Sequence, residues 1–205
     1  MIYRIKTAIV IIYKYSKINV ITIGIDPSIN STGICVNEHG TNRKQKIKFY
    51  IIRPNSLTKK EQNIKLSNFN FLLYDKVSST DKHENEVCKT RNFLYITDHI
   101  KTILKSAIRK VGTENVKVYM EGISYGSLQT LSVFDLAGLN YLIRGACESL
   151  KVTYTIVPPS EAKKHATGKG NASKELISNT FLALYPKMNV LKKVDDIADA
   201  YFLSV

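Results

Sequence analysis

Cysteine is scarce in this chain. There are three, Cys35, Cys88 and Cys147, far apart and outside any Cys-x-x-Cys or Cys/His cluster. This spacing argues against a zinc site and a disulfide framework, and it suits a reducing compartment. Long apolar runs are lacking as well, and none approaches the roughly 20 residues of a membrane-spanning helix. We therefore expect a globular protein without a membrane-embedded segment.

Acidic residues are few compared with basic ones. The chain has 17 Asp and Glu against 30 Lys and Arg, and its formal net charge is +13. Such a balance says little about fold but favours a polyanionic partner. Nucleic acid is the first candidate, because Lys and Arg that neutralise phosphates supply the main sequence-independent part of its binding. An acidic membrane surface is the second candidate, and an AT-rich genome explains the composition equally well.

The first 19 residues carry four basic side chains and no acidic one. Their apolar stretch, Ala8 to Tyr13, is short, and the absence of a small-residue cleavage site after it argues against a secretory signal. An organelle-targeting segment, an extra strand and an upstream start are the remaining interpretations. We treat residues 1–19 as an N-terminal extension and residues 20–205 as one domain, a size that suits a single α/β core.

Apolar alternation predicts short strands in both halves of the chain. The first three follow one another closely and are expected to form an antiparallel meander, with a turn at residues 38–42. The predicted strands are Val20 to Ile25, Gly33 to Asn37, Gln45 to Ile52, Val116 to Met120 and Thr153 to Val157. Residues 55–90 are polar, contain no Gly or Pro, and are predicted to be an inserted loop with a short strand at Phe69 to Tyr74.

Apolar residues spaced three and four apart predict helices in the second half. The predicted helices are Phe93 to Val111, ended by Gly112, then Leu128 to Leu150, Ala172 to Leu184 and Asp196 to Val205. Strands that alternate with helices imply right-handed crossovers and parallel pairing. The sequence therefore predicts an α/β fold, with a mixed central sheet of three antiparallel strands followed by parallel strands, flanked by helices.

Carboxylates stand at the ends of three predicted elements. Asp26 ends the first strand, in ITIGIDPSINSTG, and Glu121 ends the strand Val116 to Met120. Asp196 and Asp199 open the last helix three residues apart, on one face; Asp195 and Asp199 are an alternative pair. Mg²⁺ prefers carboxylate oxygens, and four carboxylates can hold two ions that clamp the attacking and leaving oxygens of a phosphodiester displacement.

Each acid also has a purely structural interpretation. Asp-Pro-Ser at 26–28 is a turn signal, Glu121 can simply end a strand, and acids in a first helical turn complement the helix dipole. The last helix is rather apolar for a solvated one, because Asp199 lies between Ala198 and Ala200. The coincidence of three acidic element ends favours a metal site.

A basic segment precedes the third predicted helix. It contains two glycines, which let backbone N–H groups approach a phosphate, and Asn171-Ala172-Ser173 can cap a helix whose N-terminus favours anions. A solvated lysine loop is the alternative. Its basic residues are Lys163, Lys164, His165, Lys169 and Lys174, around Gly168 and Gly170.

Four blocks of the sequence resemble the RuvC family of Holliday-junction resolvases, especially its phage-type members. The blocks are GIDPSINSTG, MEGISYGS, VPPSEAKKHATGKGNASKE and DDIADA, in the family's order. The first block alone is also similar to the opening strand of actin-like ATPases. The resemblance implies an RNase H-like fold and an Mg²⁺-dependent endonuclease that cuts four-way DNA junctions. It also implies a homodimer with two ions in each active site, which Mn²⁺ could replace.

The resemblance further implies roles for individual residues. Asp26, Glu121, Asp196 and Asp199 would be the catalytic, metal-binding carboxylates; Asp195 is left out because the family's pair is three apart. Water would attack the phosphodiester in line and leave a 5′-phosphate, and paired nicks need two active sites, which fits a two-fold dimer. The residues expected to contact DNA are Lys163, Lys164, Lys169 and Lys174, with Tyr125 stacked on an unpaired base.

Three other functions stay open at this point. One is an RNase H-like nuclease that acts broadly on branched DNA or on RNA–DNA hybrids. Another is a non-catalytic junction-binding protein, against which the intact set of four acids argues. The third is an actin-like ATPase, which would need further glycine-rich loops and a second domain. The expected location is a reducing, DNA-containing compartment: the cytoplasm of a bacterium or virus-infected host, or an organelle if residues 1–19 direct the chain there.

Overall fold

The structure is a computed structural model that describes residues 19–40, 45–123 and 131–205. Within these residues six strands form one mixed sheet, in the spatial order β4-β3-β2-β1-β5-β6. The strands are β1 (Val20–Asp26), β2 (Thr32–His39), β3 (Gln45–Pro54), β4 (Phe69–Tyr74), β5 (Val116–Glu121) and β6 (Thr153–Val157).

Helices cover both faces of the sheet. Short 3₁₀ turns at Thr113–Asn115 and Pro186–Val190 connect some of the elements. The α-helices are α1 (Lys59–Gln62), α2 (Lys82–Val111), α3 (Leu131–Ser149), α4 (Pro159–Thr167), α5 (Lys174–Leu184) and α6 (Val194–Ser204). No helix in the described ranges is long and apolar enough to cross a lipid bilayer.

The strand pairing is that of the predicted mixed α/β sheet. β1, β2 and β3 form the expected antiparallel meander, with Asp26 opposite Gly33 and Thr32 opposite Ile52. β4 joins β3 in parallel, while β5 joins β1 and β6 joins β5, also in parallel. The carboxyl ends of β1, β3, β4, β5 and β6 therefore lie at the same edge of the sheet. The predicted fold class is confirmed.

The two faces of β1 have different tasks. Ile21, Ile23 and Ile25 are buried in a core that contains side chains of α2 and α3. The intervening residues point to the other face, where α6 packs. Gly24 is required there, because a Cβ atom at this position would lie 1.9 Å from the carbonyl oxygen of Ala200. The residues that alternate with isoleucine thus form the surface on which α6 packs.

The polar region at residues 55–90 is more ordered than the sequence indicated. It holds α1, the correctly predicted strand β4, and the first turns of α2, which begins at Lys82 rather than near Phe93. Asp81 caps α2, its Oδ1 accepting from the Glu84 backbone N–H at 2.8 Å. The early turns of α2 are largely solvent-exposed and carry no continuous apolar stripe, so periodicity missed them.

The basic segment also differs from the predicted loop. Residues Pro159–Thr167 form α4, whose first helical residue is a proline, a position where its missing N–H costs no hydrogen bond. The helix ends at Gly168, which has a positive φ of 79°. α4 was not predicted, because the pair Pro158-Pro159 suits the end of a strand as well as the start of a helix. Ser173 then caps α5 by accepting from the Leu176 N–H.

Candidate active site

Asp26 and Glu121 lie side by side at the ends of two parallel neighbouring strands. β1 and β5 are in register, with Ile25 beside Met120, so the next residue of each strand is an acid. Ile25 and Met120 both point into the core beneath α2 and α3. Because side chains alternate along a strand, Asp26 and Glu121 point to the opposite face. Their carboxyl groups approach within hydrogen-bonding reach of each other.

The helix α6 brings two further carboxylates to the same sheet edge. It packs on β1 and β2 and contacts β5. Asp196 is 7% exposed and Asp199 is partly buried. Burial raises the pKa of Asp26 well above its usual value, and Glu121, Asp199 and Asp196 raise it further by charge repulsion. The structure therefore brings together all four acids that the family motifs indicated.

Burial and mutual repulsion perturb the helix-borne carboxylates as well. Burial raises the pKa of Asp196 to about 6. Burial, together with the charge of Glu121, raises the pKa of Asp199 to about 7. Each group is thus kept partly protonated near neutral pH unless a cation offsets the negative charge. Strongly perturbed acids that converge at one place are typical of functional sites.

One carboxylate oxygen in this cluster lacks a partner. Oδ2 of Asp196 is buried and accepts no hydrogen bond from the described residues. Ser31 lies close enough for its hydroxyl to lower the pKa of Asp196, but the Ser31 Oγ is also buried without a partner in hydrogen-bond geometry. Buried polar atoms in native proteins are normally satisfied, so an unpaired carboxylate oxygen points to an absent ligand.

The four carboxylates suit a hard divalent cation, although their oxygen atoms are not close enough together to bind one ion as they stand. All four groups are carboxylates, the ligands that Mg²⁺ prefers. Within residues 19–40, 45–123 and 131–205, no three Asp, Glu, His or Cys side chains form a cluster able to hold a metal ion as they stand. The raised pKa values and the absence of such a cluster are compatible, because they depend on different distances. Repulsion between charges acts over several ångströms, whereas Mg²⁺ needs oxygen atoms at about 2.0–2.1 Å.

Lys174 lies beside the acidic cluster. It is the first residue of α5, and its Nζ is 3.5 Å from Oδ2 of Asp195, with 73% of the side chain exposed. Burial alone would lower the pKa of Lys174, but Asp195, Asp199, Asp26 and Asp196 raise it above its usual value. Asp195 thus forms an ion pair with a lysine, whereas Asp196 and Asp199 are the helix residues expected to bind metal.

The other predicted DNA contacts lie on and after α4. Lys163 is partly buried on this helix, Lys164 is exposed on it, and Lys169 is exposed in the loop that follows. α4 packs against both α5 and α6, so the basic segment borders the acidic cluster. Tyr125 lies outside the described residues.

Sequence reasoning missed a residue that supports the site. Asn140 of α3 is 1% exposed and donates from Nδ2 to the backbone carbonyl oxygen of Glu121 at 3.2 Å. Arg144 in turn donates from Nε to Oδ1 of Asn140 at 2.7 Å. The signal was a polar residue on the apolar face of a predicted helix, between the buried Leu139 and Ile143.

Solved structures of similar architecture were found, although the sequence itself has no match. No protein-family model matches the sequence, and no curated protein matches it. Thermus thermophilus RuvC is similar in structure, with 18% identity, a TM-score of 0.52, and 90% of this chain and 91% of the other covered. The same protein in complex with a Holliday junction substrate matches with 15% identity, a TM-score of 0.54 and 90% of each chain.

A third structure, a yeast mitochondrial Holliday junction resolvase, is less similar. It shares 13% identity with a TM-score of 0.45, over 94% of this chain and 81% of the other. The two RuvC structures show that the chain has the RNase H-like fold of RuvC, as its sequence motifs predicted.

Proposed function

We propose that residues 20–205 form a divalent-metal-dependent, structure-selective endodeoxyribonuclease that resolves four-way DNA junctions. In this proposal two copies act as a homodimer and make paired nicks that leave 5′-phosphates. Mg²⁺ is the proposed ion, and Mn²⁺ could replace it. The enzyme would work in a DNA-containing compartment. The observation that carries the proposal is the meeting of four carboxylates from β1, β5 and α6 at one sheet edge.

The proposed roles of the acids follow from their chemistry. Asp26, Glu121, Asp196 and Asp199 would hold two Mg²⁺ ions, with the unpaired Oδ2 of Asp196 as one ready ligand atom. Ions bound there would activate water and stabilise charge on the oxygens of the phosphodiester. The chain's own contribution is to hold four carboxylates on strands and a helix, with Asp196 buried and the other three partly buried. Burial raises the pKa of Asp196 and of Asp199, so a bound cation would favour their charged forms.

The basic residues beside the cluster would hold the DNA. Lys174 is close enough to four aspartates for their charges to raise its pKa. Its side chain is also largely exposed to solvent, where a phosphate could approach. Lys163, Lys164 and Lys169 extend the positive surface along α4. A net charge of +13 fits a polyanionic substrate. Tyr125 is retained as a candidate for stacking on an unpaired base.

Two exposed aromatic side chains offer a face for the proposed dimer. Phe134 and Tyr141 of α3 are 68% and 64% exposed, and their spacing of seven residues places them on one face of the helix. The Arg144 guanidinium lies 4.6 Å from the centre of the Tyr141 ring, so a cation lies beside the aromatic groups. A second copy on this face would give the two active sites that paired nicks require.

The proposal is tested by cleavage of defined DNA substrates. Four-way junctions, forks, flaps and RNA–DNA hybrids are incubated side by side with the protein and Mg²⁺. We expect paired nicks on the four-way junction, loss of cutting with Asp26→Asn, and persistent junction binding by that variant. Asp98→Asn is the matched control, because Asp98 lies on α2 with 67% of its side chain exposed.

The outcomes separate the candidate functions. Equal rates on every substrate would replace junction resolution by a broad branched-nucleic-acid nuclease. Binding without cutting by the wild-type protein at any divalent ion would favour a non-catalytic junction-binding protein. Unchanged cutting by Asp26→Asn would refute the proposed active site.

A further inference from the structure

A second polar cleft opens at the sheet edge that carries the four acids. Its volume is about 550 Å³ and it lies where β3 and β4 end. All of its lining residues except Pro54 carry a polar or charged side chain, so it offers hydrogen-bonding groups to a polar ligand. The lining residues are Asn30, Arg53, Pro54, Asn55, Ser56, Asp75 and Lys76.

The cleft is connected to the candidate active site by one turn of the chain. Asn30 lies in the turn that runs from Asp26 to β2. The Thr32 hydroxyl donates to the Ser28 carbonyl oxygen at 2.6 Å, which closes this turn. The Tyr74 hydroxyl donates to the Ile29 carbonyl oxygen at 3.3 Å and ties it to the end of β4.

Strand spacing gives the distance between the two places. β3 is two strands and β4 three strands away from β1 in the sheet. At about 4.8 Å per strand, the cleft begins roughly 10–14 Å from the end of β1. Successive phosphates of one duplex strand follow a helical path and lie about 6–7 Å apart, roughly twice the axial rise of about 3.4 Å. A strand cut beside Asp26 could therefore reach the cleft about two nucleotides away.

A rigid wall supports the cleft on one side. Nη1 of Arg53 is 2.8 Å from Oε1 of Glu61, and these side chains are 18% and 6% exposed. The backbone N–H of Thr58 donates to Oε2 of the same glutamate at 2.9 Å. On the other side, Nδ2 of Asn55 donates to Oδ1 of Asp75 at 3.3 Å and links the ends of β3 and β4.

Exposed lysines surround the cleft. Lys76 is exposed at the rim, and Lys59 and Lys60 are exposed on the adjoining α1. Arg53 is neutralised by Glu61, so the one uncompensated acid of the lining is Asp75, which accepts from the Asn55 amide. The three lysines outweigh this acid and favour a chain of phosphates.

We propose that this cleft binds the sugar-phosphate backbone of a DNA arm about two nucleotides from the cut, with Lys76 as its principal phosphate contact. This inference rests on the proposed nuclease function. It gives the polar region at residues 55–90 a role, because Asn55, Ser56, Asp75 and Lys76 line the cleft and Glu61 of α1 holds Arg53 in its wall. The arm would be held on both sides of the β1–β2 turn.

The test combines Lys76→Ala with single neutral linkages in the DNA. The cut is first mapped with wild-type protein and Mg²⁺, and binding is then measured in EDTA. Junctions carry one uncharged methylphosphonate at each position from one to six nucleotides from the cut. Lys105→Ala is the matched control, because Lys105 is exposed in the last third of α2, towards the opposite edge of the sheet where β5 begins. Thermal unfolding verifies that both variants are folded.

A neutral linkage about two nucleotides from the cut should weaken wild-type binding and have no further effect on Lys76→Ala. Between 50 and 200 mM salt, wild type should lose about threefold more affinity than Lys76→Ala, the contribution of one phosphate contact. Additive effects of the linkage and the variant, or a Lys76→Ala protein indistinguishable from Lys105→Ala, would overturn the inference. Wild-type protein that neither binds nor cuts the junction would instead refute the proposed function.

Discussion

A Cβ atom on Gly33 would lie 2.0 Å from the backbone carbonyl oxygen of Asp196. Gly33 is also the residue opposite Asp26 in the β1–β2 register. The backbone of α6 thus rests directly on the strand pair that carries the first acid. The separation between the acids of the sheet and those of the helix is therefore set by a backbone contact that has no room for a side chain.

Gly33→Ala should disable the candidate site. The added methyl group has to displace α6, an overpacking change that costs about 1–3 kcal/mol of unfolding free energy. We expect junction cleavage to fall at least about tenfold, since a shift of about 1 Å at a catalytic group has effects of this size or larger. Urea unfolding and initial cleavage rates at saturating Mg²⁺ measure the two effects.

Gly112→Ala provides the control for this substitution. Gly112 ends α2 with a positive φ of 82°, so a side chain there is strained. Alanine should also cost about 1–3 kcal/mol of unfolding free energy but leave cleavage unchanged at temperatures where the variant is folded. Equal activity of the two alanine variants would show that the position of α6 does not matter to catalysis.

Asp199→Asn should stabilise the metal-free protein at alkaline pH. The folded-state pKa of Asp199 is about 7 against a usual 3.8, so the folded protein binds more protons than the unfolded chain between these values. Unfolding free energy must then fall as pH rises through this window. Removing the charge should raise it at pH 8 by roughly 2–4 kcal/mol, at about 1.36 kcal/mol per unit of pKa.

Urea unfolding in EDTA at a series of pH values measures this dependence. Asp98→Asn should leave the wild-type profile unchanged, because Asp98 is an exposed residue on α2. If wild type and Asp199→Asn have parallel profiles from pH 4 to about 8, the raised pKa of Asp199 is wrong.

Mg²⁺ should stabilise the folded protein without any DNA present. A cation that binds the acidic cluster neutralises repulsion among Asp26, Asp196 and Asp199, and an ion at 100 times its dissociation constant adds about 2.7 kcal/mol. The unfolding midpoint at pH 8 is therefore expected to rise with MgCl₂ in wild type and much less in Asp199→Asn. A matched NaCl titration accounts for ionic strength. Equal shifts in the two proteins would place the ion elsewhere.

Asn140→Ala should weaken catalysis by loosening the end of β5. The change leaves the Glu121 carbonyl oxygen and the Arg144 Nε without their partner, at a cost of about 1–3 kcal/mol. We expect slower junction cleavage at temperatures where the variant is fully folded. Asn115→Ala removes a similar bond, from Nδ2 to the Val111 carbonyl oxygen, outside the site and should cleave at the wild-type rate. Comparable rates for both variants would assign Asn140 a purely structural role.

The strands and the acids were predictable because their signals are local. Alternating isoleucines around Gly24 identified β1, and acids at element ends identified the cluster. The start of α2 was not predictable from periodicity, because its first turns face solvent and only the Asp81 cap marks them. α4 was hidden by a proline that suits a helix start as well as a strand end.

The long-range contacts had no local signal at all. Whether Asp195 or Asp196 faces the site depends on how α6 lies on β1 and β2, which is fixed by Gly24 and Gly33 from far away in the sequence. The bond from Asn140 to Glu121 likewise joins α3 to the end of β5. Such pairs become visible only once the chain is folded.

The packing of α6 on β1 has a consequence for when the chain becomes active. The Thr22 hydroxyl donates to the Ser204 carbonyl oxygen, which binds the end of α6 to the start of the first strand. Joining segments so far apart in sequence closes a long loop, which slows folding. A chain in which α6 has not docked would lack Asp196 and Asp199 beside Asp26 and Glu121. The proposed nuclease would therefore be inactive until both ends of residues 20–205 had joined.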